Sequence, residues 1–381
     1  MCFGYLDSGA DDERTLRRNQ DAFREYDLFY EVLSGVGPET LDLSTTLFGK
    51  KVKLPFFGCP TAGNRMFHHR GELAVAKAAR DFGAPYCIST LSTSTLEDVA
   101  KEMSGADNPK VFQVYVWKNR DLLGKALEKA KKAGFETIAL TVDLTWFGNR
   151  ERDFRNDFTI PPRPSISQIV GAFSRPAWTF DYLSTEPYSY ALVDATVPAE
   201  ALASFINDQM DPTFNWDDAK WLIDTWKGPA AIKGIVNPND AKRAVEAGFT
   251  TIWVSNHGGR QLDGAPASLD ALVNIRKAVG PDVEVILDGG VQRGTDIAKA
   301  LALGANGVGL GKPVLFGLGA GGDQGVHKTF SILKAELSRA MGLLGTNSIN
   351  DLRTSGTDLL KRRNLSTRDL GLARYAPSEP M

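Results

Sequence analysis

The fold class this sequence predicts is α/β, a single (β/α)8 TIM barrel with a long insertion after its fourth strand. Three observations predict it. From residue 52 onward, short apolar runs alternate with amphipathic stretches, the pattern of repeated βα units and a parallel sheet. There are eight such runs, and eight units close a barrel more naturally than an open sheet. Glycines also stand where each helix should end, a few residues before the next strand.

In chain order the strands are expected at Pro55–Pro60, Pro85–Thr90, Val111–Trp117, Thr137–Asp143, Ala230–Val236, Thr251–Asn256, Val283–Asp288 and Gly307–Gly311. Helices are expected between them at Gly71–Phe82, Asp121–Ala133, Asp240–Ala247, Leu269–Ala278 and Thr295–Leu303, with Gly83, Gly134, Gly248 and Gly304 as terminators. Residues 144–215 break the rhythm and are too long for an ordinary βα loop. Their aromatics (Phe173, Trp178, Phe180, Tyr182, Tyr188, Tyr190) point to an ordered insertion, read as a lid over the mouth of the barrel. Residues 346–381 read as a polar tail, and the whole of 1–381 as one domain.

Composition narrows the function. Of 381 residues, 43% are hydrophobic and 24% charged, an ordinary globular balance, and the net charge of −2 offers nothing to nucleic acid. Cys2, Cys59 and Cys87 form no CxxC, which fits a reducing compartment without structural zinc. No run is long enough to span a bilayer, so the expectation is a cytoplasmic protein, with peripheral contact at the inner face of the membrane left open.

Function in such a barrel gathers at the C-terminal ends of the strands. Those ends carry Thr61 and Ala62, Ser89, Gln113 and Tyr115, Thr141 and Asp143, Lys233, Ser255 through Arg260, Asp288-Gly289-Gly290, and Gly311-Lys312. His257, one of four histidines, lies beside glycines with Arg260 three residues on, and Asp143 and Lys233 converge on the same end. The glycines after strands seven and eight place backbone N–H groups where barrels bind phosphate, and Arg293 or Lys312 would add positive charge. Other patterns fail. Gly317-x-Gly319-x-Gly321-Gly322 follows no strand, and Gly311-Lys312 precedes proline rather than the Ser or Thr of a P-loop. His68-His69 with Glu72 lacks the spacing of a metal site on one helix face and reads as solvated loop.

The run Ser255-Asn256-His257-Gly258-Gly259-Arg260-Gln261 resembles the active-site signature of the FMN-dependent (S)-2-hydroxy acid dehydrogenase and oxidase family, which includes glycolate oxidase, lactate oxidase and bacterial lactate and mandelate dehydrogenases. Pro60-Thr61-Ala62, Gln113-x-Tyr115, Thr141-Val142-Asp143, Ile232-Lys233-Gly234 and Leu287-Asp288-Gly289-Gly290-Val291 extend the likeness over nearly the whole chain. Thr15-Leu16-Arg17-Arg18-Asn19 gives it the flavour of the bacterial L-lactate dehydrogenases.

The resemblance implies FMN as cofactor and oxidation of an (S)-2-hydroxy acid, L-lactate foremost. It implies His257 as general base, oriented by Asp143. Tyr5, Arg150 and Arg260 would hold the substrate carboxylate, and Tyr115 its hydroxyl. Lys233 would lie at the N1/O2 edge of the flavin, with Thr61, Ala62, Ser89, Gln113, Thr141 and Ser255 on the ring. Asp288 would meet the ribityl chain, and Gly289, Gly290, Gln292, Gly311 and Lys312 the phosphate region. No metal is implied. A homotetramer is, as is an electron acceptor among oxygen, quinone or a cytochrome. The chain departs from the family at Gln292 and Lys312, where arginine is usual, and at Leu91, where glycolate oxidase carries tryptophan. Two other readings compete: an FMN barrel of isomerase type, and a flavin binder without turnover.

Overall fold

The computed structural model describes residues 2–158, 166–185, 189–191, 205 and 208–363. Eight parallel strands close a barrel: β1 (Phe56–Gly58), β2 (Tyr86–Ile88), β3 (Lys110–Val114), β4 (Thr137–Thr141), β5 (Ala230–Ile235), β6 (Thr251–Val254), β7 (Glu284–Leu287) and β8 (Gly307–Leu310), with β8 pairing back to β1. They fall where the apolar runs predict them. All are almost wholly buried, because helices cover one face and the barrel interior fills the other, which is why the runs are continuous rather than alternating.

Helix Gly71–Phe82 matches its predicted span and stops at Gly83, whose φ of 66° suits the left-handed cap. Helix starts are set by side chains that accept leading N–H groups: Thr95 from Asp98 N, Asn119 from Leu122 N, and Asn215 in a reciprocal box with Asp218. The helix after β8, Lys312–Leu343, bends at Gly321-Gly322, against whose backbone the ring of His68 lies.

A hairpin of Thr45–Leu47 and Lys50–Val52 plugs the N-terminal end of the barrel. Its turn residue Phe48 packs on Phe57 and Trp253, with centroids 5.5 and 6.3 Å away. Burying each such side chain contributes about 1.5–3 kcal/mol. Beneath them Glu284 accepts from Phe48 N (2.9 Å) and Thr251 Oγ1 (3.0 Å), and burial raises its carboxyl pKa to about 7.

One region departs from the expectations. The polar tail is not featureless: helix Ile349–Leu359 buries Ile349 and Leu352, and strand Leu360–Arg362 pairs antiparallel with Tyr26–Leu28. Gly356 allows this packing, since a Cβ there would lie 2.2 Å from Ala302 O. Residues 364–381 lie outside the described residues. Within the insertion, helices Glu151–Arg155, Ile166–Phe173 and Pro176–Leu183 form, and Tyr190 and Met210 pack with Leu91, Tyr115 and Trp117 at the barrel mouth. Tyr188 lies outside the described residues. Among the described residues no helix is long and apolar enough to cross a membrane.

Candidate active site

The C-terminal mouth of the barrel opens into a cavity of about 1060 Å³. Its centre is the turn after β6. Ser255 Oγ accepts the N–H of His257 (3.0 Å), and His257, Gly258 and Gly259 all take positive φ (57°, 66°, 74°). Gly259 must lack a side chain, because helix Arg14–Arg24 crosses so closely that a Cβ would lie 2.5 Å from Leu16 N. The turn aims the His257 ring so that Nδ1 meets Asp143 Oδ1 at 2.9 Å. A carboxylate there favours the tautomer with a proton on Nδ1, leaving Nε2 as the acceptor. Burial opposes ionisation of Asp143, but His257 and Lys233 outweigh it and hold the carboxyl below its usual range.

A bulge in β5 supplies the next group. The register shifts between Lys233 and Ile235, and Gly234 takes φ 106° where a Cβ would lie 2.7 Å from Asp143. Lys233 is thereby set into the barrel wall, 5% exposed, donating to Ser255 Oγ (3.0 Å) and paired with Asp288 Oδ2 (3.1 Å). Burial depresses its ammonium, but Asp288 and Asp143 more than compensate and raise its pKa. Asp288 also accepts from Ser255 Oγ at 2.6 Å and lies 3.6 Å from Cys59 Sγ. Tyr115 is buried, and burial together with Asp143 pushes its phenol up, so it stays a protonated donor.

Opposite this wall lies a pocket built for an anion. The guanidinium groups of Arg260 and Arg150 lie over the ring of Tyr5, at 4.9 and 5.6 Å, while Phe158 stacks on the same ring at 4.4 Å. Arg260 Nη1 donates to the carbonyls of Tyr5 and Ser8, both at 2.8 Å. Burial and then the neighbouring Arg150 lower its pKa. Lys312 adds a third cation, pushed down to about 8 by burial and then by Arg260.

Lys312 is not directed as the phosphate expectation had it. Its Nζ donates to the carbonyl of Asp7 (2.8 Å), and Arg293 pairs instead with Glu336 (2.9 Å). An anion near β7 and β8 is left with backbone: Gly289 and Gly290 at φ 98° and 83°, and the N-terminus of helix Lys312–Leu343, where Pro313 carries no N–H and Val314 and Leu315 already donate to Gly311 O. Gly290 is obligatory, as a Cβ would lie 2.1 Å from Asn19 O, whereas at Gly311 nothing lies within 4 Å. Gln292 lines the same wall.

Of the residues singled out in the sequence, Tyr5, Thr61, Ala62, Tyr115, Arg150, Lys233, His257, Arg260, Asp288, Gly289, Gly290, Gln292, Gly311 and Lys312 line this one cavity. Asp143 stands behind His257. Ser89, Gln113, Thr141 and Ser255 sit one layer deeper, where Gln113 Nε2 donates to Thr141 Oγ1 (2.9 Å) and Ser89 Oγ accepts Leu91 N–H (3.0 Å). Sequence reasoning passed over Asp153 and Phe158. The available signal was Arg150-x-x-Asp153, opposite charges one helical turn apart.

The pair His68-His69 lies in a loop, as expected, with His69 exposed and meeting Asp181 of the insertion rather than Glu72. His69 N and Nδ1 both bond Asp181, and His68 Nδ1 accepts Arg70 N–H. Glu72 is fully buried and accepts from Asn64, Thr93 and Ser94.

The cavity suits a flavin with a small acid beside it. It lies at the upper end of the range of about 300–1,000 Å³ for small-molecule sites. A buried cation stands on one wall, a glycine cradle at one end, and a base faces an anion pocket at the other. Such an arrangement defines a flavin-dependent oxidoreductase of small acids. The chain belongs to the FMN-dependent dehydrogenase family, whose model matches residues 1–359. It is 42% identical to an L-lactate oxidase of Nostoc sp. over 93% of each chain, and 39% identical to 2-hydroxyacid oxidase 1 of Homo sapiens over 91% of this chain and 89% of that one. The crystal structure of the monotopic membrane protein (S)-mandelate dehydrogenase superposes with a TM-score of 0.88 at 34% identity, covering 95% of both chains. The protein is accordingly an FMN-dependent oxidoreductase acting on the CH–OH group of 2-hydroxy acids.

Proposed function

We propose that the protein oxidises L-lactate, or an (S)-2-hydroxy acid close to it, to the corresponding 2-oxo acid. The carrying observation is that one cavity sets the His257–Asp143 pair beside the guanidinium groups of Arg150 and Arg260. Bound FMN supplies the two-electron acceptor. Lys233, Thr61 and Ala62 would hold its ring, with Asp288 by the ribityl chain and Gly289, Gly290 and Gly311 around the phosphate. Arg260 and Arg150 bind the carboxylate, and their planar forks fix its orientation. Tyr115 donates to the substrate oxygen. Nε2 of His257 takes a proton from the substrate, and Asp143 stabilises the resulting imidazolium.

Leu91, Leu144, Phe147 and Tyr190 line the remaining space, which favours a small apolar side chain. The likeness to L-lactate oxidase supports the same substrate. Two finer readings go with this one. Copies would assemble as a homotetramer, for which the exposed Phe29, Tyr30, Val32 and Leu33 offer an apolar surface. A cytoplasmic protein would also touch the membrane peripherally through the exposed Phe173, Phe180 and Leu183 of the insertion.

The test is optical. The purified protein should be yellow and should bleach anaerobically on addition of L-lactate. Persistent colour with every 2-hydroxy acid offered would sink the proposal.

A further inference from the structure

Asp153 takes part in no step described so far. It lies in helix Glu151–Arg155, 8% exposed, directly beside the anion pocket. Its Oδ2 is 3.3 Å from Arg150 Nε, and its Oδ1 accepts from Ser8 Oγ at 3.4 Å. Contact through Nε is geometrically informative. This is an ion pair at the Nε edge of a rigid planar guanidinium, so it anchors that edge and leaves both Nη groups for an incoming anion. Ser8 is itself fully buried and reaches the second guanidinium, since its carbonyl accepts from Arg260 Nη1 at 2.8 Å. One continuous chain therefore runs Arg150–Asp153–Ser8–Arg260 and joins the insertion, the N-terminal segment and the loop after β6.

We infer that Asp153 is a positioning residue: it sets the Arg150 fork and, through Ser8, the spacing of the two guanidinium groups that grip the substrate carboxylate. This rests on the hydroxy acid reading above. Electrostatics alone would argue the opposite role. A buried carboxylate beside an anion site repels the ligand, and if Asp153 were only a counter-ion, its removal would tighten anion binding. Geometry and charge thus predict effects of opposite sign.

The experiment uses the FMN-loaded enzyme and two readouts, steady-state kinetics with L-lactate and the calorimetric Kd of oxalate. With Asp153→Asn, KM and the oxalate Kd should both rise roughly tenfold, while kcat changes less. Asp153→Glu should recover part of the loss. In an Arg150→Ala background Asp153→Asn should add little, because its effect passes through Arg150. An unchanged or tighter oxalate Kd overturns the inference, and so does simple additivity with Arg150→Ala. Flavin content and Tm of each variant separate these results from misfolding. A wild-type enzyme that binds oxalate yet oxidises no 2-hydroxy acid would instead overturn the proposed function, leaving the oxalate comparison to judge Asp153.

Discussion

At the mouth of the barrel Lys233 is buried between Asp288 at 3.1 Å and Ser255 at 3.0 Å, while at the floor Glu284 is half-buried with only neutral donors, Phe48 N–H and the Thr251 hydroxyl. Both groups are withdrawn from water, yet their equilibria move differently. The paired lysine is driven further toward its charged form, whereas the unpaired glutamate is pushed up to about 7 and is half neutral near physiological pH. Burial disfavours charge for both groups, and the difference is that Lys233 has carboxylates beside it while Glu284 has no cation.

The largest effect should come from the mouth. His257→Gln keeps a hydrogen-bonding side chain but no base, and kcat should fall by at least about 10²–10⁴-fold with flavin retained. Near-normal kcat in a stopped-flow or steady-state assay would refute the assigned role. Lys233→Met tests the pairing itself. It strands Asp288 and Asp143 without their cation, and should destabilise by about 3–5 kcal/mol. Adding Asp288→Asn should restore much of the Tm but not turnover; if the double variant is no more stable than the single, the charge balance is not what holds this wall.

The floor gives the smallest effect, and one with a definite sign. An unfolded glutamate titrates near its ordinary value of about 4.3, and the folded one near 7. Between these values the folded state binds the extra proton, so stability falls as pH rises through the window and levels out above it. Glu284→Gln should remove that slope, giving a Tm roughly 2–4 °C above wild type at pH 8 and no gain at pH 5. Parallel Tm–pH curves for the two proteins would show that Glu284 is not the group responsible.

What the sequence revealed and what it hid divide along the same axis. The eight strands could be read because both faces of each are buried, which writes a local signature of continuous apolar residues. His257, Asp143 and Lys233 could be found because each stands at the end of such a strand. The floor hairpin escaped notice, since its strands bury only Leu47 and Val52 and carry no continuous apolar run, and Glu284 looked like any acidic residue before a strand. The tail helix was hidden by its polar face, its burial resting on Ile349, Leu352 and Leu359 among polar residues. The anion pocket was half legible. Tyr5, Arg150 and Arg260 were found by likeness to a family, but Ser8 and Arg260 are 252 residues apart, and no local pattern announces that a carbonyl of one will hold the guanidinium of the other. Lys312 shows the same limit, its ammonium going to Asp7 O, 305 residues away.

His257 holds its place with a backbone φ of 57°, a region that disfavours most residues with a Cβ. Non-glycine residues in such conformations cost of order 1–3 kcal/mol and survive only where their surroundings over-determine them. Here the surroundings are Ser255 Oγ on the amide and Asp143 on the ring. Glycine would relax the turn, yet it would erase the base and leave the Asp143 carboxylate without its imidazole, so at this one position strain and chemistry cannot be separated.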